Sequence, residues 1–392
     1  MTQKLNWTHI ILLTSTPILA IYGCLTVPLQ RNTFLLAVAW YFLTGFGITV
    51  GYHRYWSHRT YDAIWPFQFF LMLAGSGAVQ GSIKWWSRDH RAHHRFTDTD
   101  KDPYSAHKGL LWAHMGWMLF MKEKKNHGKV DISDLNKDFI VNFQEKFYPL
   151  LSVFMSFILP TLICGYFFND YAGGFFYVGM TRQVFLHHST FCINSLAHYM
   201  GEHNFDDRRS PRDNWITALI TFGEGYHNFH HEFPSDYRNA IQTLQYDPSK
   251  WIIYTLSLFG ITYNLNQFSK NEIDKGRLQM QEKKITEAKS KLDWGVPIEN
   301  LMKMTWIEFV KIQREEKKQW MVIDKVVYDV EKFMDHHPGG KGFLKSSIGR
   351  EVTTSFNGGV YNHSRAARNL MTGLRIAIIQ DDIPAAHISK EE

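Results

Sequence analysis

The stretch His90-Arg-Ala-His93-His94 decides how the chain is read, together with His53-Arg-Tyr-Trp-Ser-His58 upstream of it and His227-Asn-Phe-His230-His231 downstream. On a helix, residues three and four apart share a face, so these spacings aim two or three imidazoles at one point. Asn194 and His198 add a further i, i+4 pair. Imidazole is a good ligand for iron, zinc and copper. The chain holds 20 His against 3 Cys, and Cys24, Cys164 and Cys192 all sit inside apolar runs with no partner at a useful spacing. A disulfide framework or a Cys-x-x-Cys metal site is therefore set aside, and metal binding falls to imidazole.

Working outward, the clusters punctuate a strongly apolar first half. Four segments, 9–27, 33–52, 148–168 and 171–199, are long and apolar enough to span a bilayer, which takes roughly 20 residues of helix. Very short turns at 28–32 and 169–170 make each pair a helical hairpin, so both turns lie on one side. The stretch between the pairs is rich in Lys and Arg from Arg54 to Lys125, whereas the turns offer only Arg31. The positive-inside rule then puts the basic side and both termini in the cytosol. The first apolar run lacks a basic leader region and a small-residue cleavage site, and is read as a retained helix rather than a signal peptide. The mean hydropathy of −0.27 averages two unlike halves. A net charge of +6 suits nucleic acid or an anionic membrane surface. The apolar runs select the membrane, and no nucleic acid partner is expected.

A single crossing at 66–83 would separate the His clusters onto opposite faces of the bilayer, so that segment is read as a buried or interfacial helix. The stretch 251–259 is amphipathic and too brief to span. A charged helix over 269–291 reads as a solvated connector, closed by Trp294-Gly-Val-Pro297. Beyond it, 320–324 and 326–330 read as short strands joined by a turn. They precede Phe333-Met-Asp-His-His337-Pro-Gly-Gly and Phe356-Asn-Gly-Gly-Val-Tyr-Asn-His363-Ser. The expected organisation is a membrane domain over 1–268, a linker over 269–296 and a small α+β domain over 297–380.

The order of His clusters resembles the histidine-box signature of membrane acyl-CoA desaturases. Flanking pieces match as well: WWSRDHRAHHRFTDTDKDPY, GLLWAHMGWML, NSLAHYMGEHNFDDRRSPRDNW and TFGEGYHNFHHEFPSDYRNA. The resemblance implies a mainly α fold, a four-helix transmembrane bundle under a cytosolic His-rich cap. It also implies two iron ions held by His53, His58, His90, His93, His94, His198, His227, His230 and His231, with Asn194 reaching one through a water. No side chain is a strong enough oxidant to take hydrogen from an unactivated methylene, so iron and O2 must supply that power. The implied reaction removes hydrogen at carbon 9 and then carbon 10 of a saturated fatty acyl-CoA (palmitoyl- or stearoyl-CoA), leaving a cis double bond and water. Arg88 and Asp89 match family positions near the coenzyme A head, and Lys122 with Lys124 and Lys125 is a further basic candidate for its phosphates. Ala37 and Tyr41 lie one helical turn apart, and Tyr41 is expected to close the acyl tunnel early, favouring chains of about sixteen carbons.

The C-terminal part resembles cytochrome b5, which implies a haem b between His337 and His363, with His336 facing solvent. A bis-His haem has no open position, so it transfers electrons. Its place at the C-terminus resembles the fungal acyl-CoA Δ9 desaturases, whose pattern has a longer polar segment ahead of the first span. NADH-cytochrome b5 reductase is the implied electron donor and the endoplasmic reticulum membrane the implied location. Two rivals remain to be tested. A membrane hydroxylase or sterol oxidase shares His-rich di-metal centres, and an anchored haem carrier would need no nine clustered His. The isolated His9, His107, His114 and His127 read as surface or core residues, and His187 and His188 are left out of the ligand set.

Overall fold

A computed structural model describes residues 4–121, 128–359 and 361–384. It divides into two compact units, Met1–Lys283 and Lys284–Glu392.

In the first unit, α1 (Trp7–Thr26) starts at Asn6, whose side chain accepts from the His9 amide, and runs on as an exposed apolar helix. After a short turn, α2 (Arg31–Ser57) follows, its last stretch Gly47–Ser57 wound as a π-helix. The helix was expected to end at Tyr52, ahead of the first His cluster. It continues instead, because α3 (Trp65–Ser76) packs tightly along it: a Cβ on Gly47 would lie 2.2 Å from the Gly75 nitrogen. π-helical turns widen a helix locally and are common at functional sites; here the widening carries His53 and Arg54 in the last turns of α2, both buried. The strand β1 (Asp62–Ala63) pairs with β2 (Thr262–Tyr263) and ties the end of the unit back to this region. The segment 66–83 is thus a short helix, with Pro66 in its first turn and Leu71, Met72, Ala74, Gly75 and Ser76 buried.

Next comes α4 (Ile83–Phe96), capped by the Ser82 hydroxyl, which accepts from the Trp85 amide at 3.2 Å. The long helix α5 (Phe139–Phe168) ends at Asn169, which takes up the left-handed conformation at φ 54°. Asp170 then caps α6 (residues 171–194), accepting from the Gly173 amide, while the Thr33 hydroxyl donates to the same carboxylate at 2.5 Å. That bond fastens the start of α2 to the turn between α5 and α6.

Among the described residues, three helices are long and apolar enough to cross a membrane: α1, α2 and α5. The fourth expected span, α6, is helical but broken in composition by Arg182, Gln183, His187 and His188. The Arg182 guanidinium is buried and donates to the carbonyls of Val178, Gly77 and Ser156. Gln183 donates to the Ala78 carbonyl. The carbonyls beyond the end of α3 thus satisfy polar groups that would be costly in hydrocarbon.

Two further helices bear on the site, α7 (His227–Glu232) and α8 (Lys270–Ser290). The N-terminal part of α8 is docked rather than solvated: Ile273 is buried in a cluster with Phe205, Phe229 and Phe233.

The second unit is a four-stranded sheet in the order β3 (Met302–Met304), β6 (Arg375–Ile379), β5 (Val326–Asp329), β4 (Trp320–Ile323). β3 pairs parallel with β6 and the other pairings are antiparallel. The two expected strands form the β4–β5 hairpin, turned by Asp324 and Lys325 at φ 50° and 64°, the positive-φ pair that a two-residue hairpin favours. Both faces of the sheet are covered. Trp320 and Val322 pack with Phe309 on one side, Met321 and Ile323 with Met334 and Leu344 on the other.

Candidate metal centre

Four pieces of chain converge at the end of α2. α4 supplies His90, His93 and His94; the end of α2 supplies His53 and, just beyond it, His58. The short helix Leu196–Tyr199 supplies His198, and α7 supplies His227, His230 and His231. Their rings fall into two groups: His53, His58, His90, His94 and His230; and His93, His198, His227 and His231. Within each group one nitrogen of every ring lies within 4.8 Å of the others. All nine sequence-predicted imidazoles are brought together.

The spacing fits metal ions. Facing Nε2 atoms are 2.9 Å apart for His53 and His230, 2.8 Å for His58 and His90, 3.0 Å for His94 and His230, and 3.2 Å for His93 and His231. Two imidazoles bound at right angles to one first-row metal have donor atoms about 3 Å apart. His198 carries a direct sign: its Nδ1 bonds Ser210 Oγ at 2.7 Å, while its buried Nε2 has no hydrogen-bond partner among the described residues. Burial first, and neighbouring imidazoles second, push His90, His94, His227, His230 and His231 well below the usual imidazole range. They are neutral at neutral pH, the form that binds a metal.

A set of residues that sequence reasoning missed fixes the rings. Glu224 Oε2 lies 3.0 Å from His53 Nδ1, and Asp102 Oδ1 lies 2.9 Å from His93 Nδ1. Asp98 accepts from the Ser210 hydroxyl at 2.6 Å, extending the support of His198. The Tyr104 hydroxyl is 3.3 Å from His90 Nδ1. Such partners set tautomer and orientation. Burial raises the Glu224 carboxyl, but Arg54 and His53 more than reverse this and leave it at about 2. Asp102 is likewise lowered, with His93 and the Asp98 amide outweighing burial. The only sequence signal for them is their place inside the stretches that flank the His clusters.

Against the first group lies a cavity of about 590 Å³, with His53, His90 and Glu224 in its wall. Leu12, Leu13, Val153 and Phe191 give it an apolar lining, and Asn194 and Asp89 also face it. Arg88 pairs with Asp89 at 2.8 Å. Ala37 and Tyr41 do not line this cavity; Ile48 and Thr49, further along α2, do. Tyr41 packs instead on Phe222 at 5.0 Å between ring centroids. Lys122, Lys124, Lys125 and His127 lie outside the described residues. His187 lines the cavity and its Nε2 faces the Ala78 and Val79 carbonyls; His188 faces His114. His9 is a lining residue as well, which its isolation in the sequence did not suggest.

In the second unit, the His337 and His363 rings face one another at 6.4 Å, 30° apart in plane. His337 Nδ1 bonds the Gly340 carbonyl, and His363 Nδ1 bonds those of Phe356 and Tyr361. With Nδ1 of each ring engaged by backbone, Nε2 is the nitrogen each ring has left for a metal. Two axial imidazoles on a haem iron have ring centroids about 6 Å apart, so the pair fits. Phe356 stacks on His363 at 4.3 Å, and His336 is exposed.

Comparison with known proteins finds a family for each of the two domains. Residues 32–249 match the family described as fatty acid desaturase, and residues 305–380 that described as cytochrome b5-like heme/steroid binding domain. A probable acyl-CoA desaturase of Schizosaccharomyces pombe is 49% identical over 96% of this chain and 78% of its own length. Acyl-CoA desaturase 1 of Saccharomyces cerevisiae is 48% identical over 97% of this chain and 74% of its own. Human stearoyl-CoA desaturase is 36% identical over 68% of this chain and 76% of its own. Iron and haem are the cofactors of the two domains, and the donor sets fit both. The chain belongs to the fatty acid desaturase family, as a member with a cytochrome b5-like domain behind its desaturase domain.

Proposed function

We propose that the enzyme desaturates palmitoyl- or stearoyl-CoA between carbons 9 and 10, with the two His groups each holding one iron. The observation that carries this is the apolar cavity whose wall contains His53 and His90. A methylene must lie beside the metals while the rest of the acyl chain is held away from water. Iron and O2 supply the oxidising power. The chain's own residues do the rest. Leu12, Leu13, Val153 and Phe191 hold the acyl chain, and Glu224 and Asp102 keep the rings of His53 and His93 in one tautomer. Asn194 serves one metal through a water. Asp89, which lines the cavity, and its partner Arg88 receive the coenzyme A head, with Lys122 as a further phosphate partner.

The four apolar segments form a transmembrane bundle in this reading, α6 crossing with its buried Arg182, Gln183 and His187 turned to the bundle interior. Both termini and the metals face the cytosol of the endoplasmic reticulum. The desaturase domain covers 1–268, the linker 269–296 and the haem domain 297–380. His337 and His363 are the haem ligands, and NADH-cytochrome b5 reductase supplies the electrons. Tethering the haem domain raises its effective concentration at the desaturase domain.

The test is expression in a yeast strain that makes no unsaturated fatty acids, with double-bond position read by mass spectrometry after derivatisation. Growth with new Δ9 monoenes, lost in His93→Ala and in His337→Ala, is expected. Hydroxylated or sterol products without a new alkene would move the protein to the hydroxylase class.

A further inference from the structure

One aromatic run is not used by anything above. It starts at the His90 ring, on which Trp86 stacks at 4.9 Å between centroids. From Trp86 it passes to Tyr52 at 6.1 Å, to Trp56 at 6.2 Å and to Tyr55 at 5.0 Å. Tyr52 and Trp56 are buried, 0% and 3% exposed, and Tyr55 is half-buried, with the buried Tyr61 5.4 Å beyond it. The run leaves the cavity behind: Trp86 lines it, but Tyr52, Trp56 and Tyr55 do not.

Its chemistry is selective. Every member is Tyr or Trp, the aromatic side chains that lose an electron most readily. Phe is the commonest aromatic residue of the chain, at 29 against 18 Tyr and 13 Trp, yet it is absent from the run. The Trp56 indole N–H donates to Asp138 Oδ2 at 3.2 Å, so a proton acceptor stands beside the indole. Packing alone asks only for ring shape.

We propose that Trp86, Tyr52, Trp56 and Tyr55 form an electron path from solvent to the metal centre, which discharges oxidising equivalents that miss the acyl chain. Reduction of O2 to two waters takes four electrons and four protons. The haem domain supplies two electrons, and the two C–H bonds of the acyl chain supply the other two with their protons. When no acyl chain is seated, those last two electrons are drawn one at a time through Trp86. Each leaves Tyr55 as an oxidised phenol that has lost an electron and its phenolic proton. A thiol in solution restores it, and two thiols close to one disulfide. The sum is O2, two electrons, two protons and two thiols going to two waters and a disulfide. Without the path, the oxidation falls on the residues nearest the metals.

The path rests on the desaturase reading for its source of oxidising equivalents, and one experiment separates the two. Full-length holoenzyme is supplied with NADH, cytochrome b5 reductase, O2 and glutathione, with or without stearoyl-CoA. Freeze-quench electron paramagnetic resonance, glutathione disulfide and mass-spectrometric maps of oxidised residues are read. Without acyl-CoA, the wild type gives a tyrosyl signal and disulfide. Tyr55→Phe and Trp56→Phe, which keep a ring in place, lose both and gain oxidation at Trp86 and His90. With acyl-CoA, both variants retain iron and the wild-type initial rate. No tyrosyl signal in the wild type overturns the path, as does an unchanged oxidation map in the variants. Should both variants lose iron, the wild-type signal alone decides. Failure of the wild type to make unsaturated product overturns the desaturase reading instead.

Discussion

Glu224 shares its carboxylate between an imidazole and a buried guanidinium: Oε2 lies 3.0 Å from His53 Nδ1, and Oε1 accepts from Arg54 Nη2 at 2.9 Å. Arg54 is held again by Asp247, at 2.9 Å and 3.2 Å, so it keeps a counter-ion if Glu224 loses its charge. His53 has no such reserve. Glu224→Gln is therefore expected to lower metal affinity or activity about 10- to 100-fold, the usual cost of removing an outer partner of a metal-bound His. Iron per chain by elemental analysis and the initial desaturation rate check this. Wild-type iron content and rate in Glu224→Gln would show that the carboxylate serves Arg54 alone.

The lowered imidazoles set the direction of the pH response. His90, His94, His227, His230 and His231 hold fewer protons folded than unfolded at pH values just below the unfolded value, about 6.5. Stability therefore rises with pH through that window and is lost as pH falls below it. Bound metal adds to the effect, because each proton competes with an ion for the same nitrogen. Thermal unfolding in detergent at pH 7.5 and pH 5.5, with iron assayed after each, should give a lower midpoint and less iron on the acid side. An equal midpoint at both pH values would count against neutral, clustered imidazoles.

The cavity makes a steric prediction about chain length. Val153 lines it, whereas Tyr41 stands outside it in a cluster with Phe42 and Phe222. Val153→Trp fills part of the space the acyl chain needs and is expected to shift the products toward shorter monoenes. Tyr41→Ala is expected to leave the profile as it was, contrary to the sequence reading of Tyr41 as the closing residue. Gas chromatography of the total fatty acids measures both. A shift in Tyr41→Ala with none in Val153→Trp would place the end of the tunnel at Tyr41 after all.

Much of the site was legible because metal ligands recur at helical spacing. His90, His93 and His94 share one helix and His227, His230 and His231 another, so the period alone grouped them. His198 was marked by its i, i+4 spacing with Asn194, but its place among the ligands came from the resemblance, since it is the one His on a four-residue helix that begins after Asn194. The carboxylates were not legible. Asp102 reaches His93 from a loop nine residues on, and Glu224 reaches His53 from 171 residues away, where no local period applies. The end of α2 was misread for another reason. Hydropathy falls at Tyr52, but the Gly47–Gly75 contact with α3 keeps the backbone helical for five residues more. For α8, a charged exposed face hid the fact that single apolar residues can dock a helix.

That docking makes the last prediction. Ile273 of α8 is buried with Phe205, Phe229 and Phe233, and Met280 is buried further along. Phe229 lies between the metal-facing residues of α7, and Phe233 directly follows that helix. Arg277 sits over the Phe205 ring, and Lys283 bonds Asp207 at 2.7 Å. α8 therefore braces the segment that carries His227, His230 and His231. A chain ending at Ser290 keeps this brace and loses only the haem domain; a chain ending at Phe268 loses both. The first is expected to retain iron and to regain desaturation when a separate cytochrome b5 is supplied. The second is expected to lose iron and activity alike, because burial of Ile273 and its neighbours no longer offsets the exposure of Phe229 and Phe233. Within the full-length chain, Ile273→Ala should lower stability by about 2–5 kcal/mol and reduce iron retention in the same direction. If the shorter chain holds its iron as well as the longer one, α8 is only a connector.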